Sequence, residues 1–184
     1  PPRAALLPHI WLSDEEIRQG QRLLEQLPDK AGTPPIALHP YATHPDKAWK
    51  EAYWRQLMEL FESRGIPWIV IGRGNGMEGI PASRNFTNRT SLRETCALLK
   101  SSSLLITGDS GPMHLAGAVG TPVLALFGPT TEEWGFFPAG PKDRVLESQL
   151  DCRPCTLHGK KHCDRHHACL QSITPEQVMR ALDE

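Results

Sequence analysis

The run Gly108-Asp109-Ser110-Gly111-Pro112-Met113-His114 sets a carboxylate, a hydroxyl and an imidazole where the apolar segment LLIT gives way to a helical pattern. Amides in the first turn of a helix lack intrahelical partners and carry the positive end of the helix dipole, so such a junction can receive a phosphate. Ser110 can donate through its hydroxyl, Gly111 lets a ligand approach the backbone, and His114 can add a directed donor. The same residues also fit a plain helix start, with Asp109 or Ser110 as the cap and His114 bonded to local backbone. Spacing alone does not choose between these readings.

A second junction of the same kind reads Thr43-His44-Pro45-Asp46-Lys47-Ala48-Trp49. Lys47 can neutralise a diphosphate, whereas Asp46 suits a helix cap better than a wall facing a negative ligand. Taken singly, Lys47 also fits a solvated surface, and Trp49 fits the core better than a sugar-stacking role. The loop GRGNG followed by Glu78 departs from GxGxxG, and no acidic partner follows a further strand as a dinucleotide site requires, which weakens a hydride-transfer reading. Cys152, Cys155, Cys163 and Cys169 cluster late in the chain, with His158, His162, His166 and His167 nearby as substitute ligands. Their spacing suits a tetrahedral structural zinc site; reduced, unligated thiols and disulfides are the other two readings. The odd total of 5 cysteines argues against a secreted disulfide framework, and Cys96 reads as a small core residue.

Positioning these groups requires alternating strands and helices. IALHP and IPWIVIG are short continuous apolar runs, as are LLITG and TPVLALFGP, the pattern of strands buried on both faces. Helical periods lie between them: one from about residue 46 to 64, closed by Gly65, one opened by Ser91-Leu92-Arg93-Glu94, and one over GPMHLAGAVG. Ser13-Asp14-Glu15-Glu16 and Thr174-Pro175-Glu176-Gln177 are capping boxes for a first and a last helix, and RVLE reads as a short edge strand. The expected fold is α/β, a Rossmann-like parallel sheet with helices on both faces. Residues 1–35 read as a lead-in or interdomain helix, and 36–184 as one domain that includes a cysteine-rich segment at 150–170. With 20 basic and 21 acidic side chains in 184 residues, no global positive field draws the chain to nucleic acid. The apolar runs fall far short of the roughly 20 residues of a membrane helix, and the reading is of a cytoplasmic protein.

Taken together, HPYATHPDKAW, SLRETCALLKSSSLLITGDSGPMHLAGAVGTPVLALFGPT, CRPC and SITPEQV resemble the carboxyl-terminal half of the bacterial heptosyltransferases, glycosyltransferase family 9. The resemblance runs from about residue 36 to 181 and implies the donor-binding lobe of a two-lobed GT-B enzyme. Such enzymes transfer heptose from ADP-heptose to the lipopolysaccharide inner core with inversion, at the cytoplasmic face of the inner membrane and without a catalytic cofactor. By the same resemblance, Asp109, Ser110, Gly111, Pro112, Met113 and His114 surround the diphosphate and proximal sugar, and Lys47 meets the phosphates. Thr43 matches one of two adjacent hydroxyl residues, Ala42 standing where the other belongs. Glu78 matches the acid that reaches the ribose, and Thr90 faces the adenine. The catalytic aspartate belongs to the amino-terminal lobe and has no match here, so no catalytic residue is expected in this chain. Competing readings are another GT-B nucleotide-sugar transferase, an epimerase domain, and a non-catalytic zinc-stapled binding module.

Overall fold

A computed structural model describes residues 8–28, 32–156 and 163–183. Five strands, β1 (Ile36–His39), β2 (Trp68–Val70), β3 (Leu104–Gly108), β4 (Val123–Phe127) and β5 (Arg144–Glu147), form one sheet in the order β2-β1-β3-β4-β5. Every neighbouring pair is parallel. Among the described residues six α-helices accompany it: α1 (Asp14–Leu24), α2 (Glu51–Arg64), α3 (Leu92–Lys100), α4 (Gly111–Val119), α5 (Ala168–Gln171) and α6 (Pro175–Asp183).

Alternate strand residues feed two separate cores, because successive side chains leave a strand on opposite faces. Leu38, Val70, Ile106 and Leu126 pack on one face with Trp54, Leu57 and Phe61 of α2 and Val178 of α6. Ala37, Ile69, Leu105 and Ala125 pack on the other with Leu98 and Leu99 of α3 and Met113 and Ala116 of α4. Burial on both faces is why the strands read as unbroken apolar runs. Among the described residues, no helix is long and apolar enough to cross a membrane.

The three capping boxes form as their spacing predicts. Ser13 and Glu16 exchange hydrogen bonds at the start of α1, as Ser91 and Glu94 do at the start of α3; the Thr174 and Gln177 side chains each accept the other's amide before α6. The helix expected from about residue 46 starts later. Pro45–Lys47 is a single 3-10 turn, Ala48 is extended, and α2 begins at Glu51. Tertiary contacts explain the delay: Lys47 is drawn to Asp109, and the buried Trp49 donates its indole N–H to the Ile173 carbonyl at 2.8 Å.

Helix α1 lies against α3, with Arg93 bonded to Glu16 at 2.6 Å and Gln19 to Glu94 at 2.9 Å. The Arg93 guanidinium, helped by the Ser13 amide, holds the Glu16 carboxyl down at about 2. At the crossing, a Cβ on Gly20 would stand 2.7 Å from the backbone of Ala97. Gly20→Ala must therefore separate the two helices. The expected loss of stability is about 1–3 kcal/mol despite alanine's better helix propensity, read as a lower denaturation midpoint; an unchanged or raised midpoint would refute this packing.

Candidate functional site

Strand order reverses at β1 and β3: the chain steps from β1 outward to β2, then crosses back to β3 and on to β4 and β5. At such a switch point the loops leaving the carboxyl ends of the two central strands diverge, and a crevice opens between them. Here that crevice is a cleft of 470 Å³. Its walls come from the end of β1 and its following loop (His39, Tyr41, Ala42, Thr43), from Gly72 and Arg73 after β2, from Thr90, Leu92 and Thr95 at the start of α3, and from Ser110, Gly111, Pro112 and Leu115 of α4. Among the described residues, Arg73 is its lining cation and no carboxylate lines it.

Register determines what lies on the floor. His39 and Thr107 are cross-strand partners at the ends of β1 and β3, which brings His39 Nδ1 to 3.1 Å from Thr107 Oγ1 and 3.2 Å from Ser110 Oγ. Ser110 begins α4 but makes no side-chain cap bond; its hydroxyl lies 2.9 Å from Thr107 Oγ1 instead. Burial pushes the His39 pKa down to about 4, so the ring is neutral near pH 7. Two glycines hold the Arg73 loop tightly to this floor. Gly72 has φ +117°, and a Cβ there would meet the His39 ring at 2.4 Å; a Cβ on Gly74 would meet Tyr41 at 2.3 Å. The Asn88 side chain bonds both the amide and the carbonyl of Gly74, and the Tyr41 hydroxyl lies 2.7 Å from Thr87 Oγ1.

Beside the cleft, the Lys47 ammonium meets the Asp109 carboxylate at 2.5 Å, with side chains 15% and 11% exposed. Thr130 donates to the same carboxylate oxygen at 3.2 Å. Of the residues singled out from sequence, Thr43, Thr90, Ser110, Gly111 and Pro112 line the cleft, while Lys47 and Asp109 form the adjoining ion pair. Thr90 points its hydroxyl to Thr95 at 2.9 Å. Met113 is buried in the core, and its amide is bonded to the Ser110 carbonyl. His114 and Glu78 are exposed and do not line the cleft. Sequence reasoning missed His39 and Arg73. The available signals were the last residue of the first strand, in register with Thr107, and a cation set between two glycines after the second strand.

The cysteine-rich segment corrects the zinc expectation. Among the described residues, no group of three or more His, Cys, Asp or Glu side chains could hold a metal ion, and no disulfide joins Cys152, Cys155, Cys163 and Cys169. His158 and His162 lie outside the described residues. Cys169, Cys163 and His167 are otherwise engaged. Cys169 is buried, which pushes its thiol pKa up and disfavours the thiolate a metal needs. Cys163 Sγ accepts the His167 amide at 3.2 Å, and the His167 ring lies 2.9 Å from Asp46. What staples the segment is Arg153: its nearly buried guanidinium donates to the carbonyls of Gly128, Thr130 and Ser148 and to the Glu147 carboxylate.

Comparison with known proteins agrees with the architecture. The family model of glycosyltransferase family 9 (heptosyltransferase) matches residues 8–163. The chain belongs to that family. It is 35% identical over 153 residues to lipopolysaccharide heptosyltransferase 1 of Pseudomonas aeruginosa, covering 76% of this chain and 40% of that protein. To lipooligosaccharide heptosyltransferase 2 of Campylobacter jejuni it is 33% identical over 150 residues, covering 72% and 44% respectively. The crystal structure of the family 9 glycosyltransferase from Veillonella parvula superimposes with a TM-score of 0.76 at 25% identity, over 95% of this chain and 52% of that one. The family 9 chain thus spans less than half the length of these two sequence relatives and shares the Rossmann-like parallel sheet typical of GT-B enzymes.

The buried His39 predicts an acid-linked loss of stability. The unfolded chain takes up a proton on His39 near its ordinary pKa of 6.5, the folded chain only near 4. Below 6.5 the unfolded state binds more protons, so stability falls as the pH drops from 6.5 through 4, by at most about 3 kcal/mol from this group. Denaturant melts across that window should show a shallower decline in His39→Asn than in the wild type; identical slopes would contradict the assignment.

Proposed function

We propose that this chain is the carboxyl-terminal, donor-binding lobe of a GT-B heptosyltransferase that transfers heptose from ADP-heptose to the lipopolysaccharide inner core. The observation that carries the reading is the cleft itself. It lies at the switch point, contains the start of α4 with the Ser110 hydroxyl, and among the described residues is lined by the Arg73 cation and by no carboxylate. A diphosphate fits that electrostatic character, because helix N-terminal amides and a guanidinium both favour a compact anion. Thr43 stands at the phosphate end and Thr90 at the nucleoside end of this reading; Pro112 and Gly111 keep the α4 entrance open. Met113 serves through core packing beneath the start of α4. His114 and Glu78 reach the ligand in this reading only once a bound donor or the facing lobe recruits them from the surface.

The transfer is an inverting displacement. An acceptor hydroxyl attacks the anomeric carbon, the bond from that carbon to the phosphate oxygen breaks, and ADP departs with the bonding pair. The proton goes to an aspartate of the amino-terminal lobe. This chain's part is to stabilise the negative charge that grows on the leaving diphosphate, through Arg73, the Ser110 hydroxyl and the Gly111 amide at the start of α4. Lys47 contributes by neutralising Asp109, whose carboxylate next to the site would otherwise repel the phosphates. Residues 1–35, with α1 held against α3, lead between the lobes in this reading. The large apolar side chains of Trp11 and Leu92 are 81% and 65% exposed, which suits a surface covered by the facing lobe. The whole enzyme acts at the cytoplasmic face of the inner membrane.

Calorimetric titration with ADP, UDP and GDP tests the reading. ADP should bind most tightly, and Lys47→Ala should weaken it by about tenfold or more. Adding Asp109→Asn to Lys47→Ala should restore part of the loss, since the repelling charge is then gone. Preference for UDP or GDP would point to another donor; no nucleotide binding at millimolar concentration would refute the function altogether.

A further inference from the structure

His39 is buried in the floor of the cleft, and the transfer described above gives it no contact with the ligand. Its hydrogen-bond accounts are nonetheless restrictive. Nδ1, Thr107 Oγ1 and Ser110 Oγ form a triangle with sides of 3.1, 2.9 and 3.2 Å. The Thr107 hydroxyl is also aimed at the Gly108 carbonyl, 3.1 Å away, and a carbonyl can only accept. A hydroxyl has one hydrogen: given to the Gly108 carbonyl, it leaves Thr107 Oγ1 able only to accept from its other two neighbours, and that is the arrangement the proposal takes. Suppose Nδ1 carried a lone pair. Ser110 would then give its hydrogen to the ring, and both contacts of Thr107 within the triangle would set lone pair against lone pair. Suppose instead that Nδ1 carries the hydrogen. It then donates to Thr107, and Ser110 can donate to Thr107 at rest or turn outward without leaving Thr107 unsatisfied.

We propose that His39 is a positioning residue of the anion site: its Nδ1–H satisfies Thr107, so that the Ser110 hydroxyl hydrogen is available to a phosphate oxygen of the ligand. The proposal rests on the reading that the cleft holds a diphosphate. Two further observations fit it. Ser110 makes no side-chain cap bond to α4, so the helix places no competing demand on its hydroxyl. The ring is also held in place, with Gly72 so close that a Cβ there would lie 2.4 Å from it and Tyr41 edge-on at 5.8 Å. His39 thus offers a directed hydrogen rather than a charge.

Nuclear magnetic resonance of the full 184-residue chain with ¹⁵N-labelled histidine reads the tautomer directly at neutral pH. Protonated Nδ1 and unprotonated Nε2 at His39 support the proposal; the opposite tautomer overturns it, whatever the ligand does. ADP titrations test the link to Ser110. His39→Leu and Ser110→Ala should each weaken binding about tenfold, and the double variant should bind no more weakly than either single one. His39→Asn, which can keep an N–H near the Nδ1 position, should stay within about threefold of the wild type. Additive losses in the double variant, or unchanged affinity in a folded His39→Leu, overturn the coupling. A wild-type chain that binds no ADP overturns the nucleotide reading and this proposal with it, whereas the opposite tautomer in a chain that does bind ADP overturns this proposal alone.

Discussion

Two opposite charges meet 2.5 Å apart over the divide between β1 and β3, and the arrangement of the surrounding loops follows from that meeting. Lys47 comes from the turn after β1 and Asp109 from the loop after β3, the two segments that diverge at the switch point. Both side chains are largely withdrawn from water, so removing either would leave an uncompensated charge, the costly case for a desolvated pair. The pairing draws Pro45–Lys47 across the end of the sheet and delays α2 to Glu51. It also occupies Asp109, the acid next to Ser110 in the chain. With Asp109 engaged by Lys47 and Thr130, the start of α4 and Arg73 are left to set the sign of the cavity.

The architecture was legible because its determinants are local. Unbroken apolar strands, three capping boxes and glycine-closed helices each state a residue's conformation within a few neighbours, and the boxes at Ser13, Ser91 and Thr174 form as read. The site was legible only in part. Ser110 and Gly111 announce themselves by motif and by place after a strand, Thr90 only through the family resemblance, and all three reach the cleft. His39 does not, since its role depends on the register of β1 against β3, a long-range fact that no local pattern encodes. Arg73 was hidden for a related reason. Its importance comes from the close seating of Gly72 and Gly74 on His39 and Tyr41, which requires the sheet to be assembled first.

The cysteine cluster shows the opposite error, in which a strong local signal meets a tertiary structure whose described residues bring no metal-binding group together. Ligand spacing along the chain does not by itself assemble a site: among the described residues no group of three His, Cys, Asp or Glu side chains could hold a metal ion, and Cys169 is buried while Cys163 Sγ accepts the His167 amide. Arg153 replaces the metal as the staple, because a single planar guanidinium can satisfy several carbonyl groups at once. Its acceptors, Gly128 and Thr130 among them, extend from the end of β4 to the residue that also holds Asp109. The irregular segment is therefore connected to the site through hydrogen bonds.

The central claim is that the cleft at the β1–β3 switch point holds the diphosphate of a nucleotide donor. A crystal structure of the chain grown with saturating ADP tests it most directly. The account predicts the diphosphate at the start of α4, with one phosphate oxygen within hydrogen-bond distance of Ser110 Oγ, another approached by the Arg73 guanidinium, and the Lys47–Asp109 pair intact beside them. A nucleotide bound away from this cleft, or seated in it with its diphosphate turned away from Ser110 and Arg73, would contradict the account.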